Sequence, residues 1–171
     1  FAMAYVATRE ARLEAAVAPL NVIGAILQPF GILVVLDAYA SGDNWHAAVL
    51  LTAGVMLAQQ VLAFLATGRT TLLFSSLVFG TTFGVTLLDD IGVSHELTAL
   101  TTGASLLLLA MGIQRTRHAA VTPFWYLVAT AAVLGGWFGW VQHTRLELSF
   151  VAAACGMVFL STYVRSRSIL I

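Results

Sequence analysis

The residues of this chain best suited to chemistry are carboxylates and imidazoles: Asp37, Asp43, His46, Asp89, Asp90, His95, Glu96, His143 and Glu147. They gather at three polar breaks, 41–44, 90–94 and 143–145, that separate long apolar stretches. Oxygen and imidazole donors converging from three turns would suit a divalent ion such as zinc or copper. The candidate ligands are Asp89, Asp90, His95, Glu96, His46 and His143, a weak set, because no pair among them has the fixed spacing of a metal motif. Helix capping accounts for much of the rest. Asp43 or Asn44 can cap one helix and Ser94 another, while Thr144-x-x-Glu147 has the form of a capping box. Glu96, in a first turn, complements the helix dipole. Asp37, Asp89 and Asp90 differ, because they close helices, where the dipole disfavours anions. Water, a partner subunit, a metal or Arg145 must compensate them. The expectation is a solvated or partner-docked acidic rim, with no metal favoured and no cofactor implied.

Other chemistries are excluded by what the chain lacks. All eight basic residues are arginines. Without lysine there can be no retinal Schiff base, no phosphate-loop lysine and no amine nucleophile. One cysteine, Cys155, allows no internal disulfide and no paired-thiol site, and among alanines it reads as a packing residue with no base at its depth. Haem between His46 and His143 is disfavoured, since both histidines fall at the ends of apolar stretches and not at membrane depth. Eight acids balance the eight arginines, which leaves no patch that would track nucleic acid.

Composition decides what kind of molecule must hold these groups. Of 171 residues, 60% are hydrophobic and 9% charged, with a mean hydropathy of +0.92. Soluble domains carry about 25% charged residues, so the chain is expected to be an all-α integral membrane protein. A helix needs about 20 apolar residues to cross the hydrocarbon. Six stretches qualify, near 19–39, 45–67, 71–89, 95–114, 121–142 and 146–164, and make up a bundle over 19–171. Short breaks between them make consecutive helices antiparallel. The preceding segment, 1–18, mixes Arg9, Glu10, Arg12 and Glu14 with apolar residues and suits a short interfacial helix ended near Pro19.

Arginine placement gives an orientation. With the N-terminus cytoplasmic, Arg9, Arg12, Arg69, Arg115, Arg117, Arg165 and Arg167 fall inside and only Arg145 outside. Both termini are then cytoplasmic, and the expected location is a prokaryotic cytoplasmic membrane. Phe30-Gly31, Phe83-Gly84 and Phe138-Gly139 recur in the odd-numbered helices, each followed by an outer turn and a return helix, which suggests three tandem α-hairpins. Their layout resembles small six-helix bacterial proteins of repeated hairpins, such as the HdeD-like acid-resistance proteins, although no motif carries residues across.

Within the spans two groups of residues stand out. Gly80-x-x-x-Gly84 and Gly135-x-x-x-Gly139 are expected to let a neighbouring helix approach. Gln28, Gln59 and Gln60 are the expensive polar groups at mid-depth, and Pro29 frees the carbonyl of Ala25, which an amide could meet. The aromatic groups Phe124-Trp125-Tyr126 and Trp137-Phe138-x-Trp140 read as interface anchors. No ionisable residue is expected near the membrane centre, which argues against proton pumps and voltage sensors. The resulting reading is a non-catalytic accessory or scaffold subunit, contacting lipid and either other membrane subunits or itself. The alternatives are a small-solute or ion transporter or channel, and a membrane protein with an extracytoplasmic metal site.

Overall fold

The structure, a computed structural model, describes residues 14–39, 45–142 and 147–168. Residues 1–13 of the expected interfacial segment and the residues Asp43, Asn44, His143, Thr144 and Arg145 lie outside the described residues. Among the described residues six α-helices follow one another: α1 Glu14–Tyr39, α2 Trp45–Thr67, α3 Thr70–Asp90, α4 His95–Gln114, α5 Thr122–Val141 and α6 Glu147–Ser168. A 3₁₀ turn, Ala119–Val121, precedes α5, and no strand occurs among the described residues. Among the described residues five stretches are long and apolar enough to cross a membrane: Pro19–Asp37, Trp45–Thr67, Thr70–Asp90, His95–Gln114 and Ala119–Val141. The sixth expected span falls on α6, a helix of 22 residues whose side chains from 160 onward lie outside the described residues.

Local chemistry explains the helix ends. Gly68, at φ +63, occupies the left-handed cap position of α2 and donates its N–H to the Phe64 carbonyl at 2.6 Å. Only Gly68 and Arg69 then separate α2 from α3. Ser94 caps α4, its hydroxyl accepting from the Leu97 N–H at 3.5 Å, and Glu96 sits in the first turn. Proline behaves differently from the sequence expectation. Pro19 does not end a separate helix, because α1 starts at Glu14 and runs through both Pro19 and Pro29. Each proline forfeits one backbone hydrogen bond, but stopping the helix in an apolar setting would orphan several.

Most hydroxyls along α3 and α4 are absorbed by their own helices, the buried Thr98 hydroxyl of α4 being without a partner. Thr81 donates to the Leu77 carbonyl at 2.7 Å, Thr86 to Thr82 at 2.9 Å, Thr101 to Leu97 at 2.8 Å and Ser105 to Thr101 at 2.8 Å. A hydroxyl bonded one turn back can face an apolar medium without an unmet donor.

The chain divides into two compact units, Phe1–Asp90 and Ile91–Ile171. In the first, α2 and α3 pack most closely, and each gives the other a glycine to lean on. The Phe83 ring lies 3.3 Å from where a Gly54 Cβ would be, and Leu57 Cδ1 lies 3.4 Å from that of Gly80. In the second, α4 and α5 approach backbone to backbone. A Cβ on Gly103 would stand 2.7 Å from Val133 Cγ2, 2.8 Å from Val133 N and 2.9 Å from Ala129 O. A Cβ on Gly136 would stand 2.8 Å from Glu96 O, and one on Gly139 would stand 3.0 Å from Glu96 Cγ.

The packing glycines are thus only partly those of the two small-residue motifs. Gly80 and Gly139 face neighbours, whereas Gly84 and Gly135 have nothing within 4 Å. Gly135 precedes Gly136 by one residue, and one residue turns a helix by about 100°, so the seam takes Gly136 and turns Gly135 outward. Close pairing of α2 with α3 and of α4 with α5 is also one helix out of phase with the Phe-Gly repeat.

Outward surfaces are strongly apolar. Leu27, Phe30 and Val34 on α1, Leu62 and Leu65 on α2, and Leu148 and Phe159 on α6 are all well exposed, Leu148 at 84%. Apolar cover of this extent suits lipid and not water, so the bundle is compatible with a membrane protein.

Candidate functional site

Three glutamines hold the most consequential polar groups inside the apolar segments. Gln28, half-buried on α1 directly before Pro29, donates its amide Nε2 to Gln59 Oε1 on α2 at 2.6 Å. This amide contact joins helices 31 residues apart in sequence. Its neighbour Gln60 points elsewhere. Gln60 is 0% exposed, and neither its Nε2 nor its Oε1 has a hydrogen-bond partner. Thr52 Oγ1, two turns earlier on the same face, is likewise buried and unpartnered, with Met56 between them. Because Thr52, Met56 and Gln60 recur every fourth residue, α2 buries a mixed stripe beside the stripe of Gly54 and Leu57 that meets α3.

Of the acidic rim, the first unit places His46 Nδ1 3.8 Å from Asp89 Oδ2, both partly exposed. Asp90 ends α3 and is exposed. In the second unit His95 opens α4 on the exposed side, and Glu96 lies against Gly139. Among the described residues no three His, Cys, Asp or Glu side chains come together as a metal set. His46 with Asp89 relieves the tension of an anion in a last turn whenever the imidazole is protonated.

The aromatic residues contact one another edge to face. Phe124 and Trp125 lie 5.4 Å apart, Trp137 and Trp140 5.5 Å, and Phe138 and Phe150 5.3 Å between ring centres. Such T-shaped pairs set ring edges against faces. A recess of about 310 Å³ lies at the end of α5, lined by Phe138, Val141, Gln142 and Phe150, with one amide as its only polar side chain. Cys155 departs from the sequence expectation: it is exposed on α6, and Gly156 beside it has nothing within 4 Å.

At the opposite end of the second unit, Tyr126 donates its hydroxyl to Gln114 Oε1 at 2.8 Å and ties the start of α5 to the end of α4. Gly103 and Gly136, which set the closest helix approach, escape a search for glycines one turn apart. A signal was present nonetheless: Gly103 and Ala110 on α4, and Ala129 and Gly136 on α5, are buried small residues seven positions apart.

No protein-family model matches this chain, and neither a curated protein nor a solved structure matches it.

Proposed function

We propose that this chain is a non-catalytic, multi-pass membrane protein that acts by packing, as an accessory or scaffold subunit of a larger membrane assembly. One observation carries the reading: polar side chains within the apolar helices are turned inward on the fold itself. Gln28 and Gln59 bond each other, Gln60 is sealed, and most Ser and Thr hydroxyls of α3 and α4 bond their own backbones, with the Thr98 hydroxyl buried. A solute path needs a continuous line of available donors or acceptors, which this arrangement does not supply. The small-solute transporter reading rests on the orphaned amide of Gln60. The extracytoplasmic metal-site reading rests on His46 and Asp89 alone.

Purification from a native membrane in mild detergent tests the assignment. The expected result is co-purification with other membrane chains in fixed ratio, and liposomes holding the chain alone that pass no solute above the lipid background. A monomer that conducts solute would overturn it.

The same proposal includes topology: six antiparallel spans in three consecutive hairpins, with both termini cytoplasmic, in a prokaryotic cytoplasmic membrane. Arginine asymmetry supports it, seven of the eight arginines lying on one side. Single cysteines replacing Asp43, Ser94 and Thr144, in a Cys155→Ala background, are expected to react with an impermeant thiol reagent from outside the cell. Protection of any one of them until the membrane is permeabilised would break the topology.

A further inference from the structure

The turn between α4 and α5 carries two cations that no carboxylate among the described residues neutralises. Arg115 and Arg117 are exposed, and neither has a carboxylate partner among the described residues. The deficit begins in the sequence, which holds no acid between Glu96 and Glu147. Both of those acids lie at the far ends of helices 20 residues or more in length, about 30 Å from the turn.

The turn is a built structure. The Thr116 hydroxyl donates to the Ile113 carbonyl at 2.7 Å and accepts from the His118 N–H at 3.2 Å. The N–H groups of Arg115, Thr116, Ala119 and Val121 are all taken up by carbonyls of the turn or the end of α4. His118 is 7% exposed, and its Nε2 accepts from Arg117 Nε at 3.2 Å. A buried imidazole therefore takes up the Arg117 Nε–H, and the terminal nitrogens of the guanidinium have no ion pair among the described residues. A guanidinium presented by its fork matches two oxygens of one phosphate.

Depth selects the ligand. On the membrane reading proposed above, the turn closes two apolar segments of 20 and 23 residues, so it emerges where lipid phosphates lie. We propose that the Arg115–His118 turn binds the phosphate of an anionic membrane phospholipid, with Arg117 and Arg115 as its direct contacts and His118 as the positioning residue for Arg117.

Native mass spectrometry of the full chain in detergent, titrated with phosphatidylglycerol or phosphatidylcholine, tests this. Preferential retention of phosphatidylglycerol is expected. One arginine near an anionic surface contributes about fivefold in affinity, so the Arg115→Gln, Arg117→Gln double variant should bind it about thirtyfold more weakly. The Arg69→Gln variant serves as control and should bind as the parent does. Equal retention of the two lipids, an unchanged double variant, or an equal loss in the Arg69→Gln control would overturn the site. Displacement by inorganic phosphate at equal concentration would overturn the lipid as its source. Failure of the membrane reading itself shows separately, because the chain would then not float with vesicles at all.

Discussion

Replacing Gly103 with alanine is expected to lower the stability of the purified protein by about 3 kcal/mol, toward the upper end of what overpacking costs. The added methyl would meet Val133 N at 2.8 Å and Ala129 O at 2.9 Å, both backbone atoms of α5 that no rotamer change can move. Relief requires α4 and α5 to separate, which loosens the closest-packed pair in the second unit. In detergent the midpoint of thermal unfolding should fall by about 5–10 °C. Gly84→Ala and Gly135→Ala supply the internal comparison. Nothing lies within 4 Å of either position, and alanine gains up to about 1 kcal/mol over glycine in a helix interior. Those two variants should therefore be as stable as the parent or slightly more so. A Gly103→Ala protein with an unchanged midpoint would refute the close backbone approach.

Gln60→Met is expected to stabilise and Gln59→Met to destabilise, although the residues are adjacent. Gln60 buries a whole amide without a partner, and an unmet buried donor or acceptor costs about 1–3 kcal/mol. Methionine keeps the length and flexibility of the side chain and removes that penalty, so a gain of about 1–2 kcal/mol is expected. Gln59 accepts the Gln28 amide at 2.6 Å, and its loss leaves Gln28 unmatched beside Pro29. Hydrogen bonds between membrane helices contribute about 0.6–1.7 kcal/mol, which sets the expected loss. Thermal unfolding of both variants in one detergent measures the pair. Two changes of the same sign would show that the amides do not divide as described. A more stable Gln60→Met protein that has lost an activity would instead mark Gln60 as functional, in line with the trade of stability for function.

Helix positions were legible because two independent signals agreed: apolar runs of membrane length, and polar or glycine breaks at both ends. The expected 45–67 and 95–114 coincide with Trp45–Thr67 and His95–Gln114. Pro19 was misleading because its preference to start or stop helices is calibrated where water can satisfy the freed carbonyl. The glycine seam was harder to read. A four-residue spacing identifies a face of one helix, but which face meets a neighbour depends on the partner's register, and Gly135 and Gly136 differ only in that. The sequence likewise marks Gln28, Gln59 and Gln60 as expensive without saying which two share a bond, since side chains one residue apart on α2 point about 100° apart. For the rim, residue type showed that anions at helix ends need compensation. Placing His46 beside Asp89 required the packing of α2 on α3.

The hydroxyl rows of α3 and α4 bear on how such a chain could be made. A segment whose threonines and serines bond their own backbone carries no polar debt into lipid, so on the membrane reading α3 can leave a translocation channel alone, whereas α4 also carries the unpartnered Thr98 hydroxyl. The first helix cannot do so on equal terms. Its Gln28 has its partner on α2, 31 residues later, and until that partner is synthesised the amide must stay near water. Biogenesis would then be asymmetric along the chain, with the first two helices entering as a couple and the third free to enter by itself.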